Sequence, residues 1–248
     1  MAVERPDTGF PGNVTALTTT RDGGVSTGIW RAFNLATHVA DDPVAVAGNR
    51  YILEAALPST AKITWLHQVH GTRVSVAVEG AGAAADAWGC RGPGVACAIL
   101  AADCLPVLLC TRAGDVVAAA HAGWRGLAAG VLEATVAAMR TPTGGLMAWL
   151  GPCIGPSAFE VGPEVREAFR TRAPRPAAAG VEACFRPAPR RGRFLADLQG
   201  LARQRLAALG LRYIVADERC TATAPHRFFS YRRDGDTGRM ASLILINP

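Results

Sequence analysis

Three side chains interrupt the most apolar stretches of this sequence near their ends: His70 in "ITWLHQVHGTRV", Cys104 in "GVACAILAADCLPVLLC" and His121 in "VVAAAHAGWRG". Imidazole and thiolate are both good ligands for a borderline-soft ion such as zinc. Three protein donors with a fourth position left open is the pattern of a catalytic zinc. The separations, 34 residues from 70 to 104 and 17 from 104 to 121, suit donors gathered from separate strands rather than a small structural finger. Each donor sits beside a turn signal, namely Gly71, Pro106 and Gly123. The alternative for each is a core role, as a hydrogen-bonded histidine or as a cysteine acting as a small hydrophobe. Asp103 adjoins Cys104 and would point to the other face of a strand. There it either braces a loop or histidine or is a satisfied strand-end carboxylate.

Arg125 follows His121 in a strand–turn–helix. Backbone N–H groups and a positive helix end would face the strand terminus, and an arginine there adds a bidentate anion clamp suited to phosphate. The alternative is an exposed arginine at a helix start. Arg21 and Arg50 are further basic candidates, with solvated surface arginines as their alternative. Trp124 either stacks on a base or packs at the core rim. The sequence has no GxGxxG, Walker loop, GxSxG or HExxH.

The elements that must position these groups follow from periodicity and turn residues. Residues 41–57 read as a helix opened by Asp-Pro, and 63–78 as two strands or one strand bent at Gly71. Residues 94–110 read as paired apolar strands hinged at Asp103-Cys104, and Val116–His121 as a further buried strand. Helices are expected over Leu127–Arg140, 162–172 and Phe194–Leu209, the last closed by Gly210. Strands are expected over 146–151 and 212–218, with a turn and a final apolar strand ending at 246. Residues 173–193 read as a surface loop. Ala-rich tracts at 81–87 and 177–179 are the low-complexity pieces, and no repeats appear. Strands and helices intermix without strict alternation, which fits a mixed sheet covered by helices.

Half of the 248 residues are hydrophobic, ample for one large core. The net charge is +6, but the basic clusters at Arg186–Arg193 and Arg232–Arg233 are short and lack interleaved aromatics, which argues against nucleic acid. Of 26 basic residues only Lys62 is a lysine. Seven cysteines without a CxxC pair argue against a disulfide framework or a four-cysteine zinc site. No signal-like segment opens the chain, and the apolar run Val95–Cys110 is broken by Asp103 and Pro106. The expectation is a soluble cytoplasmic protein that binds no membrane.

Nine motifs in order carry a resemblance: "TTRDGGVSTG", "NLATHVADDP", "NR", "WLHQVHGTRV", "ADAW", "LAADCLPVLL", "AAHAGWRGLAAGV", "LGPCIGPSAFEVG" and "CTATAPHRFFSYRRDGDTGRMAS". Together they resemble the bacterial YfiH/YlmD family, related to the mammalian laccase-domain protein FAMIN and long labelled polyphenol oxidase. The resemblance runs from about residue 18 to 245. It implies an α/β (mixed α+β) fold: one YfiH-like domain over 1–248, a three-layer α/β/α sandwich with mixed sheets. It implies a metal site of His70, Cys104 and His121, usually zinc, with copper also claimed. The implied activity is purine nucleoside phosphorolysis: adenosine, inosine and methylthioadenosine react with phosphate to give the base and a ribose 1-phosphate, with side adenosine deamination. The partners are then small nucleosides and phosphate, in a monomer or weak homo-oligomer. Arg21, Asn34, Arg50, Gln68 and Arg125 become candidates for substrate or phosphate binding.

Two departures stand out. "ADAWGC" places Trp88 and Cys90 where the family has a small polar or aliphatic run, and His226 replaces an acidic or polar residue and is not counted as a ligand. Three other readings compete with it. A cysteine- or zinc-dependent amidohydrolase of UDP-MurNAc-peptides would use Cys104 as nucleophile with His70 or His121 as base. A copper polyphenol oxidase needs many paired histidines, and the chain has five. A non-catalytic module would tolerate Cys104→Ala.

Overall fold

The computed structural model describes residues 3–76, 84–172 and 180–248. The tract at 177–179, part of that at 81–87 and the first residues of the expected 173–193 loop lie outside them. Strands β1 (Val3–Glu4) and β2 (Val14–Thr19) precede helix α1 (Pro43–Glu54). Next come β3 (Lys62–Thr64), β4 (Val74–Val76), β5 (Ala87–Arg91), β6 (Val95–Ala101), β7 (Leu105–Thr111) and β8 (Val116–Ala122). Helices α2 (Trp124–Ala129) and α3 (Val131–Ala138) lead to β9 (Leu146–Leu150), β10 (Glu160–Val161) and α4 (Pro163–Arg172). The chain continues with β11 (Phe185–Pro187), β12 (Phe194–Ala196), α5 (Leu198–Ala208), β13 (Tyr213–Ala216), α6 (Tyr231–Asp234) and β14 (Met240–Ile246).

The strands form a five-stranded sheet, β1-β2-β14-β6-β3, a six-stranded sheet, β13-β9-β7-β8-β5-β4, and a small sheet, β10-β12-β11. Both larger sheets are mixed: β3 runs parallel to β6, β4 to β5 and β13 to β9, against antiparallel neighbours elsewhere. They pack face to face. Ile99 and Ile244 of the first meet Leu108, Val117 and Trp149 of the second. Strands buried on both faces need apolar residues at every position, which is why β6, β7 and β8 read as continuous apolar runs. The outer face of the six-stranded sheet carries Leu127, Leu132, Phe169 and Leu201 from α2 to α5, and that of the five-stranded sheet carries Leu53 of α1 with Phe33 and Leu35. The helices therefore flank a β layer two sheets thick. Among the described residues no helix is long and apolar enough to cross a membrane.

Two expected helices come out shorter. The one expected over Leu127–Arg140 breaks at Gly130, whose φ of +105° ends α2 and starts α3. The one expected over Phe194–Leu209 starts only at Leu198, because Asp197 accepts from Gly200 N–H as its N-cap while Phe194–Ala196 pair as a strand with β10 and β11. The Gly-rich segment after β2 is held by Asn49, which is fully buried. Its Oδ1 accepts from Val25 N–H at 2.8 Å, and its Nδ2 donates to Ser26 Oγ, Ala32 O and Asn34 O. Asn49→Ala strands all of these partners. It should cost on the order of 2–4 kcal/mol, read as a lower urea midpoint with circular dichroism retained.

Candidate metal centre

Between β6 and β7 the chain passes from one large sheet to the other through the corner Ala102–Cys104. Asp103 sits there at φ +92°, a left-handed conformation that costs a non-glycine residue about 1 kcal/mol or more. Its carboxylate accepts from Thr221 Oγ1 at 2.5 Å and Arg232 N–H at 2.7 Å, and its carbonyl accepts from Ile154 N–H at 3.0 Å. Asp103 thus ties loops to the corner, while Cys104 faces the histidines.

His121 ends β8 opposite Pro106. His70 sits at φ +59° in a tight turn. The N–H groups of Val69, His70 and Gly71 converge on the Asp86 carboxylate at 3.2, 2.8 and 2.6 Å, and His121 Nδ1 meets the same carboxylate at 2.8 Å. Asp86 is fully buried and its backbone is pinned too, its N–H on Arg73 O and its carbonyl accepting from His121 N–H. Burial alone would raise its pKa, but the bonds from His121 and Gly71 hold it below the usual carboxylate value. With Nδ1 on Asp86, His121 has Nε2 left for Cys104 or a metal, as in carboxylate–histidine–zinc arrangements.

The donor atoms of His70, Cys104 and His121 lie within 4.8 Å of one another, graded from exposed His70 through half-buried Cys104 to buried His121. The set is therefore open on the His70 side. Gly123 makes room for it: a Cβ there would stand 2.7 Å from His70 Nδ1 and 3.0 Å from Cys104 Sγ. A Cβ at Gly126 would stand 2.7 Å from the Gly71 carbonyl oxygen. The glycines of "HAGWRG" let α2 close against the His70 turn. Burial would push the Cys104 thiol up, but the His121 charge and hydrogen bonds from both histidines outweigh it and bring it to about 6. Burial would push His121 down, but the Cys104 charge and the Asp86 bond raise it to about 9. The metal-free site at neutral pH is thus a thiolate–imidazolium pair.

A cavity of about 420 Å³, within the size range of ligand pockets, opens over these groups. Of the five polar candidates, Gln68 and Arg125 line it. Gln68 Nε2 donates to Leu100 O at 2.7 Å and its Oε1 accepts from Leu100 N–H at 2.8 Å, docking the segment before His70 onto β6. Arg125 is exposed and lies over the Trp124 ring at 4.5 Å. The other three do not line the cavity. Arg21 donates to Arg31 O and Pro225 O, and Arg50 donates to Leu35 O and covers the Trp65 ring at 4.2 Å. Asn34 is fully buried and accepts from Arg239 N–H at 2.9 Å. A larger, more open depression of about 880 Å³ runs along Arg21–Gly28 and His226 and contains none of the three donors. Trp88 and Cys90 lie in the core between the sheets, away from the cavity lining.

Sequence reasoning passed over Asp86, Arg239, His38 and Tyr231, the last three also lining the cavity. Asp86 had a signal: a lone carboxylate in a run of small apolar residues must find buried donors.

The sequence model of a family described as multi-copper polyphenol oxidoreductase laccase matches residues 15–247. The chain belongs to that family. A purine nucleoside phosphorylase from Pseudomonas aeruginosa is 50% identical to it over 239 residues, 96% of each chain. Purine nucleoside phosphorylase YfiH from Escherichia coli K12 is 49% identical over 94% of each. The crystal structure of a Neisseria meningitidis protein superposes with a TM-score of 0.92 at 47% identity over 100% of both chains. YlmD from Geobacillus stearothermophilus superposes with a TM-score of 0.85 at 30% identity, over 96% of this chain and 93% of that one. The resemblance read from the nine motifs and the mixed α/β fold both stand.

Two outcomes are expected of this laccase-family site. Gly123 has φ −63° and ψ 154°, which suits alanine, so Gly123→Ala acts only through its Cβ. Zinc affinity should fall about tenfold or more with helix content unchanged, as measured by competition with a chelating dye. The second concerns pH in the metal-free protein. The depressed Cys104 thiol contributes stability that is present above the ordinary thiol range and lost as pH falls through about 6. The raised His121 contributes below the ordinary imidazole value and loses it as pH rises through about 9. The pair persists between those limits, so the thiolate absorbance of wild type minus Cys104→Ser should titrate near pH 6.

Proposed function

We propose that this chain is a purine nucleoside phosphorylase acting on adenosine, inosine and methylthioadenosine, with residues 1–248 folded as one domain. What carries the reading is the cavity itself: an oriented His/Cys/His set faces arginine side chains in a space of nucleoside size. That the relatives above bear the phosphorylase name supports it, and the pairing of β2 with β14 from opposite ends of the chain supports the single domain.

Phosphorolysis breaks the bond between the ribose anomeric carbon and the purine nitrogen and forms a bond from that carbon to phosphate. The bonding pair leaves with the purine, which takes up a proton from the phosphate monoanion or from solvent. Arg125 holds the phosphate oxygens, so the nucleophile is delivered in position. His70, the exposed member of the set, is placed to hydrogen-bond the departing base. His121 is kept in one tautomer by Asp86, and Gln68 keeps the His70 turn on β6.

The residues fit zinc: two imidazoles and a thiolate already drawn toward its charged form, one imidazole oriented from behind by a carboxylate. Zinc bound there would polarise a water or substrate oxygen at its open position, which also supplies side deamination of adenosine. Copper is the lesser candidate. Among the described residues this is the one His/Cys cluster of three or more donors, too few for a multicopper oxidase.

Purified protein should convert inosine to hypoxanthine only when phosphate is added, and Cys104→Ala should lose bound metal and activity together. If neither inosine nor adenosine is cleaved with phosphate present, the reading fails. The depressed Cys104 thiol favours a second reading, nucleophilic hydrolysis of UDP-MurNAc-peptides, for which peptide release is the direct assay.

A further inference from the structure

We propose that Arg239 is the second arm of an oxyanion subsite in the Cys104 cavity, working with Arg125, and that its ligand is inorganic phosphate. The inference rests on the phosphorolysis reading for the identity of the anion, and on geometry for the site.

Arg239 immediately precedes β14, whose first residue, Met240, pairs with Ala101 at the edge of the Cys104 corner. It therefore reaches the cavity from the five-stranded sheet, whereas Arg125 reaches it from the helix after β8 of the six-stranded sheet. The two cations belong to walls built by different sheets.

The guanidinium is held in place. Arg239 N–H donates to Asn34 Oδ1 at 2.9 Å, and its carbonyl accepts from Leu35 N–H at 3.3 Å. Nη1 donates to Thr237 O at 2.7 Å and Gly238 O at 3.0 Å. The Tyr231 ring lies 5.9 Å from the guanidinium carbon. One nitrogen is thus committed to carbonyls, while Nε and Nη2 have no hydrogen-bond acceptor and no carboxylate pairs with Arg239 among the described residues.

A half-buried cation without a counter-ion is costly unless an anion joins it. Two carboxylates act on Arg239 from a distance and neither pairs with it: Asp103 is taken by Thr221 and Arg232, and Asp236 is exposed and forms no ion pair with it. His38 lines the same cavity, and burial, and next the charge of Arg239, lower its pKa. Two forked donors approaching from separate walls match a tetrahedral oxyanion better than a planar carboxylate.

The test titrates inorganic phosphate into the zinc-loaded protein at constant ionic strength, read by phosphorus NMR line broadening. Wild type, Arg239→Gln and Arg239→Lys are compared, the lysine variant keeping the charge and losing the fork. Zinc content and melting temperature serve as controls. Phosphate binding should weaken about tenfold or more in Arg239→Gln and by less in Arg239→Lys. The KM for phosphate in inosine cleavage should rise in parallel, with the KM for inosine unchanged. Equal phosphate binding by the folded glutamine variant and wild type overturns the proposal, as does a wild type that binds no phosphate. Phosphate binding that depends on Arg239 in a protein that cleaves no nucleoside leaves the subsite standing and removes the phosphorylase reading.

Discussion

The site depends on one buried carboxylate. Asp86 has no contact with solvent, and an unpaired charge there would cost several kcal/mol. Three successive backbone N–H groups and a ring nitrogen satisfy it, and each of those bonds fixes something else. The N–H groups of Val69, His70 and Gly71 can converge on one carboxylate only if the turn folds back on itself, which places His70 in the left-handed region. The bond to His121 sets that ring's orientation and tautomer. Two donors that arrive from distant parts of the chain are thereby indexed to a single group. The placing of the two histidines relative to each other is decided by Asp86.

The third donor comes from a different constraint. A chain that crosses between two stacked sheets must turn sharply, and at the Ala102–Cys104 corner it does so with Asp103 in a strained conformation. The strain is offset by the Thr221 and Arg232 bonds, which also draw the β14 approach, and with it Arg239, toward the corner. Asp86 and Asp103 are thus occupied with backbone, hydroxyl and imidazole donors, and arginines and histidines line the cavity together with Cys104.

Much of this was legible in the sequence, and the misses have physical causes. His70, Cys104 and His121 stood out as polar groups in apolar stretches; the doubled sheet layer makes the strands around Cys104 and His121 continuous, whereas His70 lies in a turn between β3 and β4. Gly123 was visible as a turn residue, but its role and that of Gly126, close approaches to His70 and Gly71, are contacts across space that no local pattern encodes. Asn34 was named through the resemblance and Arg50 also as a basic residue of a polar segment, and both spend their side chains on protein groups. Asn34 holds the backbone of Arg239, so the motif that suggested a ligand contact acts one residue further away. The helix expected over Leu127–Arg140 ran through Gly130 because its apolar spacing continues on both sides. Only the backbone angle shows the break, and the break leaves α2 six residues long, so less of the anion-binding argument rests on a helix end and more on side chains.

The family description and the chemistry of the chain point to different reactions, and the number of centres separates them. Reducing dioxygen to water takes several electrons, which multicopper enzymes collect on several ions held by many histidines. Here two histidines share one cluster with one cysteine among the described residues, enough for a single ion. An isolated site with an open position suits polarising a bond or a water, chemistry that moves protons and leaving groups rather than electrons. An arginine-lined cavity beside it would add an anion to that chemistry, and nothing in electron transfer to a phenol calls for one. The arginines and the single cluster together favour group transfer to an oxyanion over oxidation, whichever ion the three donors hold.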